Sequence, residues 1–321
     1  MANAGYGTVI NDSGTAYTWS EIAHEFRLST CSNDPVSDPA GEILYLRDEH
    51  TGLFWSPTPL PCPGRSSYVT RHGFGYSVFE HTEDGLYSEM KVYVDRYRPL
   101  KYISLSVRND SGRPRTLSAT GYVEWVLGDL RAKTGPFINT EATPEGIILA
   151  GNTYSSEFAG RFAFFDVEGQ DRSFTGDRTE FLGRNGRRDD PEAMKELKLS
   201  GRLGPGLDAC GALRVKLILE PGQERKIVFR LGAGVTREEA LILARDTRGP
   251  QAADTALAQV WEFWHRTRGA VSAATPGQGF NILANGRPKY QPPARRLWGR
   301  STTEPAGGAC RLRARPPAAP G

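Results

Sequence analysis

From about residue 5 to about residue 235 the chain repeats one pattern: short stretches rich in Tyr, Val, Phe and Thr, separated by clusters of Gly, Pro, Asn and Asp. A hydrophobic period of two marks a strand with one buried face, and turn residues between such runs reverse the chain. Leu86, Met90, Val92 and Val94 fall on one side of such a run, and Tyr87, Glu89, Lys91 and Tyr93 on the other. Ile103, Leu105 and Val107 alternate with Ser104 and Ser106 in the same way. The link Asn109-Asp110-Ser111-Gly112 then leads into a second long strand from about Arg115 to Leu127, which predicts a hairpin with long arms. Leu213, Val215, Leu217 and Leu219 precede Pro221-Gly222 and a further strand over Lys226 to Leu231, which predicts another hairpin. So many strands in one block imply a mostly β, antiparallel sandwich of large size.

The pattern changes at Thr236-Arg237-Glu238-Glu239, which matches a capping box and opens a helix through about Thr247. A second helix follows, in which Leu257, Val260, Trp261 and Trp264 recur at i, i+3, i+4 and i+7 and form one apolar stripe. After Pro276 the segment through Trp298 carries Pro288, Pro292 and Pro293, so a clean helix is not expected there. From Ser301 to Gly321 the chain is Pro, Ala, Arg and Gly with almost no core-forming residue, which predicts disorder. The expected organisation is a sandwich domain over 1–235, linker helices over 236–300 and a tail over 301–321.

Composition narrows the function. The 321 residues are 38% hydrophobic and 24% charged, enough to bury a real core. The net charge of +3 is a small difference between 40 basic and 37 acidic residues that alternate through the body, so no basic stripe marks nucleic-acid binding. No apolar run is long enough to span a bilayer and the start lacks a signal-peptide pattern, so the expected location is cytoplasmic. Cys31, Cys62, Cys210 and Cys310 lack close spacing, and His24, His50, His81 and His265 have no partner at ligand spacing; no metal is expected. Walker A, dinucleotide and nucleophile-elbow motifs are absent from the sequence, and no cofactor is expected.

A family resemblance rests on ordered blocks: Gly5-Tyr6-Gly7-Thr8-Val9-Ile10, Tyr17-Thr18-Trp19, Ser32-Asn33-Asp34-Pro35-Val36, Phe54-Trp55-Ser56-Pro57-Thr58 and Tyr68 through Tyr76. Gly121 through Gly128, Phe174-Thr175-Gly176-Asp177-Arg178 and Phe181-Leu182-Gly183-Arg184-Asn185-Gly186 continue it. In these the chain resembles the cyclic β-1,2-glucan synthase and cellobiose phosphorylase group, family 36 glycosyltransferases now classed as glycoside hydrolase family 94. The resemblance covers about residues 5 to 300. It implies a galactose-mutarotase-like β-supersandwich, linker helices and then an (α/α) barrel that binds sugar and inorganic phosphate, the co-substrate of the phosphorylases. It also implies a β-glucan or oligosaccharide as partner, and a homodimer as in family phosphorylases. Past Arg296-Leu297-Trp298 the chain departs into Ser301-Thr302-Thr303-Glu304-Pro305 where the family continues toward the barrel. The expectation is a chain truncated or frameshifted before its catalytic domain, and no catalytic residue is nominated.

For the sandwich the expected contribution is the rim of a sugar site, because aromatic faces cover the apolar side of a pyranose while Arg, Asp and Asn meet its hydroxyls. Trp19, Asp34, Trp55, Arg71 and His72 are the candidates. Core packing is the competing role for the two tryptophans, a turn for Asp34 within Asn33-Asp34-Pro35, and a plain turn or bulge for Arg71-His72 before Gly73 and Gly75. Three functions follow: part of an enzyme acting on β-1,2-glucan, a stand-alone carbohydrate-binding module, or an inert fragment whose tryptophan stripe has lost its docking surface and promotes association.

Overall fold

The computed structural model describes residues 1–31, 39–154, 157–169, 171–269, 272–286 and 288–293. The expected tail therefore lies outside the described residues. Along the first half run β1 (Tyr6–Ile10), β2 (Ala16–Ser20), β3 (Arg27–Ser29), β4 (Glu42–Asp48), β5 (Phe54–Trp55), β6 (Tyr68–His72), β7 (Tyr76–Glu83), β8 (Leu86–Val94), β9 (Leu100–Asn109) and β10 (Arg115–Gly128). Then come β11 (Ile138–Ala142), β12 (Ile148–Asn152), β13 (Phe162–Val167), β14 (Ser173–Asp177), β15 (Ala209–Leu219) and β16 (Glu224–Gly234). The helices are α1 (Arg131–Thr134), α2 (Arg178–Leu182), α3 (Arg237–Asp246), α4 (Pro250–Gly269) and α5 (Gln278–Asn285).

Every strand pair is antiparallel, and the strands fall into two eight-stranded sheets. One runs β1-β2-β3-β10-β15-β14, with β4 also on β10 and β5 on β4; the other runs β11-β12-β13-β16-β9-β8-β7-β6. The core fills the space between them. It takes Leu86, Met90, Val92 and Val94 from β8 and Ile103, Leu105 and Val107 from β9, the faces that the alternation picked out. Leu117, Val123 and Trp125 of β10 and Leu213, Val215, Leu217 and Leu219 of β15 close it from the other sheet. One ion pair bridges the sheets inside this apolar layer: Lys101 Nζ on β9 lies 2.5 Å from Glu42 Oε2 on β4 and donates to Thr8 Oγ1 at 3.0 Å.

Both expected hairpins are corrected. β9 pairs with β8 and β16, whereas β10 pairs with β15, β4 and β3, so Asn109 to Gly112 carries the chain from one sheet to the other. Pro221-Gly222 does the same between β15 and β16. The two crossings lie side by side, with Gly222 N donating to Asn109 O at 2.7 Å and Asn109 N to Gln223 O at 2.9 Å. The apolar faces of successive strands meet across the core instead of continuing one sheet, an arrangement that buries both equally well.

Helix α3 begins at its capping box: Thr236 Oγ1 accepts from Glu239 N at 3.2 Å, while Glu239 Oε2 reaches one residue further back and accepts from Val235 N at 3.1 Å. Its last turn is held by the buried Arg230, which donates to Ala244 O at 2.8 Å and is ion-paired with the fully buried Asp166. The tryptophan stripe has not lost its surface. Ala253, Ala256, Leu257, Val260 and Trp264 are buried on the outer face of the second sheet, where Tyr93 OH donates to Ala253 O at 2.7 Å; Trp261 alone stays half exposed, edge-on to Tyr76. Beyond Pro276 a clean eight-residue helix, α5, does form, and residues 288–293, which carry Pro288, Pro292 and Pro293, are helical as well. The prolines thus leave short helical pieces at 278–285 and 288–293 in place of one long helix.

Candidate functional site

Trp19 and Trp55 prove to be packing residues. Trp19 on β2 stands opposite Gly7 in register and is 1% exposed; a Cβ on Gly7 would sit 2.3 Å from its ring, so this pair fits only with glycine. Trp55 on β5 is 4% exposed within the inter-sheet core. Neither ring face is open to a sugar, which corrects the platform reading of both. Asp34 lies outside the described residues. Arg71 and His72 do project from the edge strand β6: Arg71 is exposed and ion-paired with Glu80, and His72 Nδ1 lies 2.8 Å from Ser77 Oγ on β7. Gly75, with φ of +84°, serves the helix rather than a ligand, because a Cβ there would meet Trp264 Nε1 at 2.3 Å.

The polar centre that the fold assembles was not nominated from the sequence. Glu124 sits in the middle of β10, almost fully buried on the outer side of its sheet. Its Oε2 accepts from Arg188 Nη2 at 2.8 Å, Arg178 Nε at 3.1 Å and Tyr122 OH at 3.1 Å, and its Oε1 lies 3.2 Å from Arg131 Nε. Asp208 joins Arg131 and Arg178, the latter at 3.0 Å. Burial alone would raise the Glu124 carboxyl, but the Arg188, Arg131 and Arg178 guanidiniums outweigh it and hold the group below the ordinary glutamate range. The same surroundings push Arg178 up: its own burial opposes this, and Glu124 overcomes it. Such a carboxylate stays ionised at neutral pH and cannot deliver a proton. Its role is to pin the loop after α2.

That loop carries a polar cavity of about 540 Å³, lined by Gly183, Arg184, Asn185, Arg187, Asp190 and Lys195 among others. Arg184 and Asn185 are exposed, while Arg188 behind them is tied to Glu124, and Tyr45 OH donates to Arg188 O at 2.7 Å. Three blocks separated in sequence thus converge: Gly121–Gly128 supplies the carboxylate, Asp177-Arg178 one guanidinium, and the Arg184-Asn185-Gly186-Arg187-Arg188 run another. A glutamate inside the apolar strand Val123-Glu124-Trp125 and an arginine-dense loop were the available signals; which of the 40 basic residues would meet it was not readable.

The whole stretch from β1 through α3 matches the family profile described as glycosyl hydrolase 94, supersandwich domain, over residues 1–250. The chain belongs to glycosyl hydrolase family 94. Its relatives include the cyclic beta-(1,2)-glucan synthase NdvB of Rhizobium meliloti (strain 1021), 34% identical over 312 residues, which cover 96% of this chain and 11% of that protein. The N,N'-diacetylchitobiose phosphorylase of Vibrio furnissii is 25% identical over 311 residues, 91% of this chain and 37% of the phosphorylase. This family 94 chain therefore spans roughly a tenth of the synthase and about a third of the phosphorylase. Among solved structures, a galactose mutarotase related enzyme from Lactobacillus acidophilus aligns over 74% of this chain and 97% of its own, at 9% identity and a TM-score of 0.42. Among the described residues no helix is long and apolar enough to cross a membrane, and no three metal-ligating side chains are grouped to hold an ion.

Proposed function

We propose that this supersandwich is the sugar-handling and structural portion of an enzyme acting on β-1,2-glucan or a related β-glucoside, by transfer or by phosphorolysis with inorganic phosphate as co-substrate. The observation that carries the reading is the 34% identity to a cyclic β-1,2-glucan synthase across 96% of the chain. The sandwich holds glucan at a loop rim and orients it, while the groups that change the glycosidic bond come from outside the chain. Arg184 and Asn185 offer guanidinium and amide donors to hydroxyls, with Arg71 and His72 as further rim candidates.

Two buried carboxylates are ill suited to be the proton donor of such a reaction. Cleaving a β-glucoside needs a carboxylic acid kept protonated near neutral pH, hence one whose pKa is raised. Glu124 is held low by its arginines. Asp48 is held low too: burial opposes this, but the Thr51 and His50 backbone N–H groups and Arg115 prevail. Calorimetric titration of the whole chain with linear and cyclic β-1,2-glucans should give saturable heat, and the same protein with phosphate should release no glucose 1-phosphate. Heat absent with every β-glucan would remove the sugar-handling role, and phosphate-dependent release of glucose 1-phosphate would remove the non-catalytic one.

A further inference from the structure

A second cavity, of about 560 Å³, opens where the β1–β2 hairpin, the β8–β9 connection and the start of α3 meet. Its size falls within the roughly 300–1,000 Å³ of small-ligand pockets. Glu21, Arg96, Tyr97, Pro99, Val235 and Leu243 are among its walls. Tyr97 is 78% exposed, the largest exposure of any large apolar side chain among the described residues. Its ring is nevertheless not on a loose loop. Asp95 Oδ1 accepts from Tyr97 N at 2.9 Å and Arg98 N at 3.0 Å, and Asn3 Nδ2 donates to Asp95 O at 2.8 Å and Arg98 O at 2.7 Å. Asp95 and Asn3 are both 5% exposed, so buried side chains pin the turn that displays the ring.

The charged neighbours are placed with equal definition. The Arg96 guanidinium lies 3.9 Å from the centre of the Phe263 ring and 5.6 Å from that of Tyr97, and among the described residues it has no carboxylate partner. Across the cavity Glu21 is fixed by Arg161, at 2.9 Å and 3.1 Å, and holds a left-handed backbone with φ of +59° although it is not glycine. A flat ring face, a guanidinium with unused donors and an immobilised carboxylate suit a ligand with one apolar face and a rim of hydroxyls. A pyranose has that form. A simple anion would meet the Glu21 carboxylate, and an apolar ligand would leave Arg96 unsatisfied.

We propose that this cavity is a second glucan-binding site, in which Tyr97 is the platform for a pyranose unit and Arg96 and Glu21 are its hydroxyl partners. The site rests on the sugar-handling reading above but is separate from the loop of Arg184. Because the turn is ordered beforehand, little conformational freedom is lost on binding. The test is calorimetry with linear β-1,2-gluco-oligosaccharides on the full chain, in the native background and in Arg184→Ala so that the loop cannot mask the effect. Tyr97→Ala should bind about tenfold more weakly, the equivalent of ~1.4 kcal/mol for a lost ring contact. Tyr97→Phe keeps the ring and should bind as the native chain does. At an exposed position neither variant should change the melting temperature, which verifies folding. Native binding that Tyr97→Ala leaves unchanged overturns the site and spares the proposed function; a native chain that binds no glucan overturns both. A change of oligomeric state in Tyr97→Ala on sedimentation assigns the ring to an interface between copies and also overturns the proposal.

Discussion

Replacing Glu124 by glutamine keeps the shape of the side chain and removes the charge that three arginines face. Arg131 and Arg178 retain Asp208, but Glu124 is the carboxylate that Arg188 pairs with. Leaving a buried ion without its partner costs about 3–5 kcal/mol. Here Arg188 is about a fifth exposed and two of the three arginines keep a partner, so a loss of about 2–3 kcal/mol is expected for Glu124→Gln. For a protein of this size that lowers the melting temperature by roughly 3–5 °C. The pH dependence has a definite sign. The folded carboxyl titrates below the unfolded one, so its stabilisation is complete above the unfolded value near ~4.3 and is lost as the pH falls through the folded value. Urea denaturation of both proteins from neutral pH down to the acid limit should therefore show a gap that narrows below about pH 4.3. A neutral-pH difference under about 0.5 kcal/mol, or a gap that widens on acidification, would refute the view that this carboxylate anchors the loop.

Other substitutions probe the frame. Gly75→Ala puts a methyl group against the Trp264 ring at a left-handed backbone position, so α4 should lift from the sheet; limited proteolysis within 250–269 and a red shift of tryptophan emission should report it. Lys101→Met leaves Glu42 buried without its counter-ion and should destabilise by about 3–5 kcal/mol in denaturant, whereas Lys101→Met with Glu42→Leu should recover most of that loss.

Most elements with a local determinant are legible in the sequence, although the prolines after Pro276 do not prevent α5 from forming. Alternation named the core faces of β8, β9 and β15, and the capping box located the start of α3. Each depends on backbone geometry within a few residues. The errors arose at links whose composition allows more than one outcome. Asn109 to Gly112 and Pro221-Gly222 have residues that suit a hairpin, and they suit a crossing between sheets as well. Trp19 and Trp55 are large and amphipathic, so a core role and a surface role look alike until a neighbour such as Gly7 is in place.

The sequence by itself therefore determined a mostly β, antiparallel sandwich followed by amphipathic helices, and through its ordered blocks the family. Tertiary structure alone decided which strands are neighbours, that α4 covers the second sheet, and that Glu124 meets Arg131, Arg178 and Arg188. Strand and helix periodicity is a property of adjacent residues, so it is written along the chain. Partner choice is set by which faces and charges can be buried together across long separations, and that is fixed only when the whole core closes.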